Sequence, residues 1–334
     1  MLLTVCTIRQ LSQAHALGQS FLRHHPARPF LIGLADNPDN LPPSWASPHP
    51  LLTLADVGLT TPEIARRAEQ YTPTEFVASC KPAFVRAALE RAGDQNLLYA
   101  DPSAFVYAPL DTLFDTLDTH SAWLSPHWLS APADGLFPDE KYVQSVGLYS
   151  GGLLGFSAKH PQTAALLAWW EARTAHRAHL DFCAGQCLDQ RWLMHLPTLF
   201  GDVEILKNPG VQVAVWNLPH RRLSRTQTGW QVAHESETTP LLTADFRGLT
   251  RPDEGLFRAQ NRLQVRTRPD VGALLTEYRA ACLPHQNPAL SQTPPAHGQR
   301  PEPVVRRGWR QTAFQRLNQL SHWIATVPVK PLHR

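Results

Sequence analysis

The sequence lacks long hydrophobic runs, and this absence excludes an organisation built on membrane-spanning helices. Its longest nearly apolar stretch covers residues 163–170, whereas a transmembrane helix needs ~20 apolar residues. The opening residues, MLLTVCTIRQ, contain neither a basic segment nor a sustained apolar one, so we expect no secretory signal. Hydrophobic residues make up 43% of the 334 and charged residues 18%, which favours a folded globular chain.

Cysteine is also scarce, and its spacing argues against a disulfide framework. The chain has five cysteines, an odd number without the paired CxxC spacing of a zinc site. Cys183 and Cys187 form a CxxxC pair, which is a weak metal pattern and is also what two residues on one helical face give. Structural thiols in a reducing compartment are therefore favoured, and we expect a cytoplasmic protein.

Several catalytic motifs are missing. The sequence contains no HExxH, no GxSxG and no GxxxxGK, which argues against a zinc peptidase, an α/β-hydrolase and a P-loop enzyme.

Charge is unevenly distributed between the two ends of the chain. Residues 251–334 contain 13 Lys and Arg against 5 Asp and Glu, whereas the remaining 250 residues contain 18 against 23. Two interpretations remain open: a basic region that meets an anionic surface, or a solvated basic tail. Because no nucleic-acid-binding motif accompanies the charge, we expect no nucleic-acid partner.

Alternating apolar segments predict an α/β fold. Residues 2–7 and 30–35 have the composition of buried strands, and the residues between them have helical spacing, so the unit is a βαβ crossover with parallel strands. A third strand is predicted at 96–100, after a helix at 81–92. A glycine-bearing strand pair is predicted at 146–156, before a helix at 163–177. Ligands of open α/β sheets lie beyond the carboxyl ends of the strands, which directs attention to Thr7–Arg9, Asp36 and Asp101–Ser103.

Composition divides the chain into three parts. Residues 1–283 are predicted to form the α/β domain. Residues 284–303, rich in Pro, Gln, Ser and Ala, are predicted to be a linker, and residues 304–334 a basic amphipathic helix and tail. This helix has two open interpretations: a peripheral anchor at the inner face of the membrane, or a helix that packs on the catalytic domain or a partner subunit.

Asp101 is the most informative single position. A carboxylate at the end of an apolar strand faces a cation, a donor or water, because an unpaired buried charge is costly. It fits a divalent metal that neutralises a diphosphate. It also fits a turn cap, since Asp-Pro commonly begins a turn, and spacing alone favours the cap.

An ordered series of segments resembles the donor half of bacterial GT-A nucleotide-sugar glycosyltransferases and is similar to family-eight-like proteins. In that family a strand ends in YLDxD, a glycine segment has the form NAGxxGF, and a later segment is HFSG. The resemblance covers about residues 1–260, and its segments here are KPAFVR at 81–86, LYADPSAFV at 98–106, GGLLGF at 151–156, DQRW at 189–192, NPG at 208–210 and TADFRG at 243–248.

The resemblance implies a Rossmann-like GT-A fold, a mixed sheet flanked by helices, with a nucleotide-sugar donor site. Thr7 and Arg9 would lie near the base and ribose, with Asp36 at the end of the second strand. Lys81 would lie near the donor phosphates or sugar, and Gly151 and Gly152 would let the backbone approach the sugar. The implied donor-binding set is Thr7, Arg9, Asp36, Lys81, Asp101, Ser103, Gly151 and Gly152.

The same resemblance implies a metal and a catalytic pair. Asp101 would be the first residue of the DxD motif, whose second carboxylate is replaced by Ser103. Asp245 stands where HFSG has its histidine, so Asp101 and Asp245 would share Mn²⁺ or Mg²⁺. Asp189 and Gln190 would stand on the reactive face of the sugar.

These departures leave three alternatives open. The metal is kept by Asp101 and Asp245; or it is lost and cations such as Lys81 or Arg247 neutralise the diphosphate; or catalysis is lost.

We expect a hexosyltransferase-type enzyme that moves a sugar from a UDP-sugar to a glycan, lipid-linked or protein acceptor, and the resemblance implies a retaining enzyme. The alternative is a non-catalytic sugar-nucleotide-binding or scaffolding protein on the same fold. The sequence does not give the oligomeric state.

Overall fold

The structure is a computed structural model that describes residues 1–43, 45–250, 262–301 and 309–326. The chain divides into two compact units, residues 1–301 and 302–334. The described strands are β1 (Leu2–Cys6), β2 (Phe30–Leu34), β3 (Leu51–Leu52), β4 (Leu97–Ala100), β5 (Ala104–Val106), β6 (Ala122–Pro126), β7 (Tyr149–Phe156), β8 (Leu180–Asp181), β9 (Gln186–Cys187), β10 (Val203–Ile205), β11 (Val213–Ala214), β12 (Arg222–Thr226), β13 (Gly229–His234), β14 (Glu237–Pro240) and β15 (Thr243–Asp245).

Helices alternate with these strands. The described α-helices are α1 (Leu11–His24), α2 (Thr61–Gln70), α3 (Pro73–Ala92), α4 (Asp111–Asp115), α5 (Glu140–Val146), α6 (Thr163–Arg177), α7 (Leu196–Leu199), α8 (Pro269–Cys282), α9 (Pro288–Gln292) and α10 (Trp309–Thr326). Short 3₁₀ segments occur at Ile8–Gln10, Pro38–Asn40, Thr116–Asp118, Gln190–His195, Leu218–His220, Val265–Thr267 and Leu283–His285.

The main sheet is mixed, with strand order β10-β6-β7-β4-β1-β2-β3. Strand β1 pairs in parallel with both β2 and β4, so the βαβ prediction is confirmed and the carboxyl ends of these strands meet at one edge. Strand β7 runs antiparallel to β4 and β6. The predicted fold class, a mixed α/β sheet flanked by helices, is confirmed.

Alternation along β1 sends its side chains to two different hydrophobic layers. Leu3 and Val5 pack in the layer that contains residues of α3 and α6. Leu2 and Cys6 pack in the opposite layer, which contains residues of α1. Because both faces of the strand are covered, its sequence is apolar on both faces, with Thr4 as a buried polar exception. Asp36 and Asp101 come after the ends of β2 and β4.

Two predicted elements have different bounds in the structure. Helix α3 begins at Pro73 instead of residue 81, because Thr72 caps it by accepting a hydrogen bond from the Glu75 amide at 3.3 Å and Pro82 is accommodated inside the helix. The predicted strand pair at 146–156 is one strand, β7, preceded by α5, and Gly147 at φ 110° makes the turn between them. The helix predicted at 163–177 matches α6.

The predicted linker also differs from what the structure has. Residues 283–301, which we call the strap, contain a 3₁₀ turn and α9 and belong to the same compact unit as the α/β domain. The strap is anchored by backbone hydrogen bonds, from the Gln299 amide to the Ala68 carbonyl at 2.7 Å and from the Arg300 amide to the Tyr71 carbonyl at 3.1 Å. A proline-rich composition therefore marks an extended but anchored segment here.

The second compact unit contains helix α10. Large apolar side chains of this helix are exposed, among them Leu317, Leu320 and Ile324. No helix in the described part of the chain is both long enough and apolar enough to cross a membrane. The rest of the predicted basic helix and tail, residues 304–308 and 327–334, lies outside the described residues.

Candidate active site

The candidate site lies where the carboxyl ends of β4 and β15 come together. Asp101 follows β4 directly, and a tight turn to Ala104 begins β5. Strand β15 pairs antiparallel to β5 with Asp245 opposite Ala104, and this register brings Asp245 beside Ser103. Two carboxylates 144 positions apart in sequence are thereby brought close together.

Asp101 is buried among donors and cations. The Tyr99 hydroxyl donates a hydrogen bond to Asp101 Oδ1 at 2.5 Å, and Lys81 Nζ lies 3.8 Å from the same oxygen. Asp101 Oδ2 forms an ion pair with Arg247 Nη2. Both carboxylate oxygens therefore have partners supplied by the protein itself, as a buried charge requires.

Asp245 is more deeply buried, with 1% of its surface exposed. Its Oδ1 accepts hydrogen bonds from Ser103 Oγ at 2.8 Å and from the Arg247 amide at 2.9 Å. Its Oδ2 lies 3.5 Å from Arg247 Nη2. Burial raises the pKa of Asp245, and the hydrogen bonds from the Arg247 amide and Ser103 act in the opposite direction.

A second ion pair joins Lys81 and Asp189. Lys81 projects from the middle of α3, and its Nζ lies 2.7 Å from Asp189 Oδ2 and donates a hydrogen bond to the Gly151 carbonyl at 3.0 Å. The ammonium also lies 4.8 Å from the centre of the Tyr99 ring. Burial lowers the pKa of Lys81 and raises the pKa of Asp189, while each opposes the other's shift by its charge. Lys81, Asp101, Asp189, Asp245 and Arg247 together form what we call the charged cluster.

Two glycines of β7 border the charged cluster at very short range. A Cβ atom on Gly152 would lie 3.0 Å from Asp101 Oδ2 and 3.2 Å from Arg247 Nη2. A Cβ atom on Gly151 would lie 3.2 Å from Asp189 Oδ2 and 3.5 Å from Lys81 Nζ. The absence of side chains at these positions is what lets both ion pairs approach the β7 backbone.

Gln190 holds the position of this strand. Its Oε1 accepts a hydrogen bond from the Gly151 amide at 2.9 Å, and its Nε2 donates to the Val146 carbonyl at 2.8 Å. Asp189 precedes the 3₁₀ segment that begins at Gln190. The predicted pair Asp189 and Gln190 is thus brought against the two glycines, with Gln190 committed to the backbone.

The residues predicted near the nucleotide base lie at the same edge of the sheet, but the strap contacts them. Asp36, 1% exposed, accepts hydrogen bonds from the amides of Ile8 at 3.1 Å, Asn37 at 2.9 Å and Ala296 at 2.9 Å. Arg9 Nε donates to the Ser291 carbonyl at 3.2 Å. Asp36 and Arg9 therefore hold the strap in this structure.

Thr7 has a local partner instead. Its backbone amide and its hydroxyl both approach Gln10 Oε1, at 3.2 and 3.3 Å, and Thr7 caps the short 3₁₀ turn that follows β1. The contacts of Thr7 are thus those of a helix-terminus cap, and its role toward a nucleotide stays a prediction.

A divalent metal shared by Asp101 and Asp245 does not fit these contacts as they stand. The two carboxylates converge, but Arg247 Nη2 faces an oxygen of each, in the place that a shared ion would take. Ser103, at the second DxD position, donates to Asp245 and so completes no ligand set of its own. Among residues 1–43, 45–250, 262–301 and 309–326, no group of three or more His, Cys, Asp or Glu side chains is arranged to hold a metal ion.

Two side chains of the site were not singled out from the sequence. Tyr99 precedes Asp101 by two positions, and strand alternation alone would place both on one face. Gln212 adopts φ 49°, donates from Nε2 to Ser150 Oγ at 2.7 Å, and would be 2.9 Å from a Cβ atom on Gly152. Nothing in its sequence context distinguishes Gln212.

No protein-family model matches the chain. A Bacillus subtilis (strain 168) protein named Uncharacterized protein YfnF is 24% identical over 216 residues, which cover 64% of this chain and 71% of the relative. A second protein of the same organism, Uncharacterized protein YfnD, is 22% identical over 204 residues, which cover 59% and 60% of the two chains.

Glycosyltransferases are among the solved structures to which the chain is similar. The galactosyltransferase LgtC, solved in complex with donor and acceptor sugar analogues, has a TM-score of 0.48 at 14% identity, covering 85% of this chain and 95% of that chain. Mouse xyloside xylosyltransferase 1 has a TM-score of 0.39 at 10% identity, covering 65% and 88%. Likeness at this level does not identify an activity.

Proposed function

We propose that this protein is a glycosyltransferase that moves a sugar from a nucleoside-diphosphate sugar to an acceptor hydroxyl. The observation that supports the proposal is the charged cluster, in which two cations and three carboxylates meet at the carboxyl edge of the sheet against the bare backbone of Gly151 and Gly152. Open α/β sheets bind their ligands at this edge. The ordered segments that resemble GT-A glycosyltransferases indicate the ligand class, a nucleoside-diphosphate sugar.

In the reaction that we propose, the protein contributes more by stabilising the charge on the leaving group than by covalent catalysis. The bond from the anomeric carbon to the β-phosphate oxygen breaks, and its electron pair stays on the departing nucleoside diphosphate. The acceptor oxygen forms the new bond to the anomeric carbon, and its proton passes to the departing phosphate. Fixed positive groups lower this barrier, because charge grows on the leaving group.

Asp189 and Gln190 are proposed to line the reactive face of the sugar. Both lie against Gly151, where a sugar above the β7 backbone would meet them. The GT-A-like sequence pattern favours a retaining enzyme with a UDP-sugar donor and a glycan, lipid-linked or protein acceptor. The five cysteines are all free thiols, which supports a reducing compartment and hence the cytoplasm.

A non-catalytic sugar-nucleotide-binding or scaffolding protein is the second candidate. The observation that favours it is Ser103 in place of a carboxylate, together with an Asp36 that is engaged by the strap. This protein would bind the nucleotide sugar without breaking it, so the two candidates differ in turnover and not in binding.

The experiment is a thermal-shift panel of UDP-, GDP-, ADP- and dTDP-sugars with Mn²⁺, with Mg²⁺ and with EDTA. A ligand at 100 times its Kd stabilises the native state by ~2.7 kcal/mol, so at least one nucleotide class is expected to raise Tm. Asp101→Asn is expected to remove the shift, whereas the exposed control Asp39→Asn retains it. A measurement of released nucleoside diphosphate then distinguishes the two candidate functions, because only an enzyme releases it. The absence of a Tm shift with every ligand would contradict both candidates.

A further inference from the structure

Arg247 occupies a position in the site that the predicted metal would need. It follows Asp245 by two residues, and its amide and its side chain both return to that carboxylate, at 2.9 Å and 3.5 Å. The same terminal nitrogen, Nη2, pairs with Asp101 Oδ2. A hard divalent cation takes carboxylate oxygens at about 2.0–2.6 Å. It could bridge the two aspartates only after the guanidinium had left.

The sequence changes in this site compensate one another. The second carboxylate of the DxD pattern is absent at Ser103, and the residue two positions beyond Asp245 is an arginine where the HFSG pattern has a small one before its last glycine. The carboxylate lost at Ser103 is regained at Asp245, which stands where HFSG has its histidine, so the net change within the site is one permanent cation gained at Arg247. A guanidinium remains charged at every pH at which the protein is folded, so it serves as a fixed counter-charge.

The exposure of the side chains shows which charge an incoming anion meets. The Arg247 side chain is 30% exposed, whereas those of Asp101 and Asp245 are 11% and 1% exposed. Lys81, on the other side of Asp101, borders the same two-glycine stretch of β7. A ligand that approaches this backbone therefore meets the guanidinium before it meets the buried carboxylates.

We propose that Arg247, assisted by Lys81, binds and neutralises the donor diphosphate in place of a divalent metal, so that the protein binds nucleoside diphosphates without metal. This inference rests on the proposed function and specifies how its donor is held. A guanidinium suits the task because its planar fork of N–H donors matches two phosphate oxygens. Asp101 and Asp245 then act as positioning residues that hold the guanidinium in place.

The first test uses Mn²⁺ alone as the probe and needs no nucleotide. Electron paramagnetic resonance measures the fraction of free Mn²⁺ in the presence of the wild-type protein. We expect no site of one ion per chain in the wild type, and a new site in the double variant Ser103→Asp with Arg247→Ser. A stoichiometric Mn²⁺ site in the wild type would overturn the inference, as would a double variant that remains folded but gains no site.

The second test measures the binding of UDP, GDP, ADP and dTDP by titration calorimetry, in EDTA and then in Mn²⁺. The best nucleotide is expected to bind wild type with the same Kd in both buffers. Arg247→Gln should weaken binding by about tenfold or more, and Arg247→Lys by less, because it retains the charge. Arg222→Gln, an equal charge change at an exposed position of β12, is the matched control and should bind as wild type does.

The outcomes separate the inference from the function on which it rests. Binding that appears only with Mn²⁺, or that is unchanged in Arg247→Gln, contradicts the role of Arg247 and leaves the glycosyltransferase proposal standing. Binding of none of the four nucleotides in either buffer contradicts the proposed function, and the inference with it. The melting temperature of each variant shows whether a loss of binding reflects unfolding, and the wild-type metal dependence decides the question without any variant.

Discussion

The candidate site has two ends, the charged cluster and the pair Asp36 and Arg9 beside the strap. Their polar groups have different kinds of partner. At the charged cluster, the cations Lys81 and Arg247 and three carboxylates neutralise one another through ion pairs. At the other end, Asp36 and Arg9 are engaged by backbone groups of the strap. A ligand at the first end exchanges one charged partner for another, whereas a ligand that contacts Asp36 has to displace a chain segment. Substitutions at the two ends should therefore have separate effects.

The largest expected effect comes from breaking the ion pair between Lys81 and Asp189. Their side chains are 7% and 3% exposed, so Lys81→Met leaves a buried carboxylate without its cation. We expect a loss of about 3–5 kcal/mol in the free energy of unfolding, measured by urea denaturation. The double variant with Asp189→Asn should recover a large part of it. Lys159→Met, which removes an exposed pair with Asp94, should cost under about 1 kcal/mol.

The next effect concerns the strap. Asp36→Ala deprives the amides of Ile8, Asn37 and Ala296 of their acceptor, and an unsatisfied buried donor costs about 1–3 kcal/mol. Hydrogen exchange of residues 286–301 should accelerate, while that of 150–156 in β7 should not. The exposed control is Asp39→Ala. Equal acceleration in both segments would show that the two ends do not act independently.

Lowering the pH should destabilise the strap before it destabilises the charged cluster. His15 packs against the rings of His49 and of His285 in the strap, and burial, assisted by these two neighbours, lowers the pKa of His15 to about 4. The folded state thus binds fewer protons than the unfolded state between about pH 6.5 and 4. The stabilisation is present in full above pH 6.5 and falls by about 2 kcal/mol from pH 7 to 5.

The variant His15→Gln removes that titration and should flatten the dependence of stability on pH over this range. Urea denaturation at pH 7, 6 and 5 measures it. A wild-type slope that survives unchanged in the variant would assign the acid sensitivity to other groups.

The smallest expected change is that of Gly152→Ala. The new methyl group would lie 2.9 Å from Gln212 Nε2 and 3.0 Å from Asp101 Oδ2, so the ion pair of Asp101 has to shift. We expect about 1 kcal/mol of destabilisation and about tenfold weaker nucleotide binding, measured by calorimetry. Gly272→Ala, where an added Cβ meets no atom within 4 Å, should bind as wild type does. Equal binding by both variants would mean that the donor lies elsewhere.

The comparison of the two ends also shows what the sequence can predict. The convergence of Asp101 and Asp245 follows from local segments that resemble known motifs, and β5 and β15 supply it by pairing. The contact of Asp36 with Ala296 joins residues 260 positions apart through a backbone amide. No side-chain pattern encodes that contact, so the proline-rich composition predicted a linker there.

The bounds of a helix or strand can be predicted from the sequence where the residues that fix them are close together in the sequence. The predicted helix at 163–177 matches α6. Helix α3 begins at Pro73, before the predicted start at residue 81, because the capping box of Thr72 and Glu75 fixes its start. The ion pairs of Lys81 with Asp189 and of Arg247 with Asp101 depend on tertiary placement. Residue types alone left three alternatives open: metal binding, its replacement by cations, and loss of catalysis.

The most direct measurement is a hydrogen-exchange footprint of the protein with the nucleotide that raises its Tm most, recorded in EDTA. If the donor diphosphate binds at the charged cluster, exchange slows in peptides that contain residues 99–103, 150–152 and 245–248. Protection confined to other segments, or no change at all at a saturating concentration, would contradict the placement of the donor site.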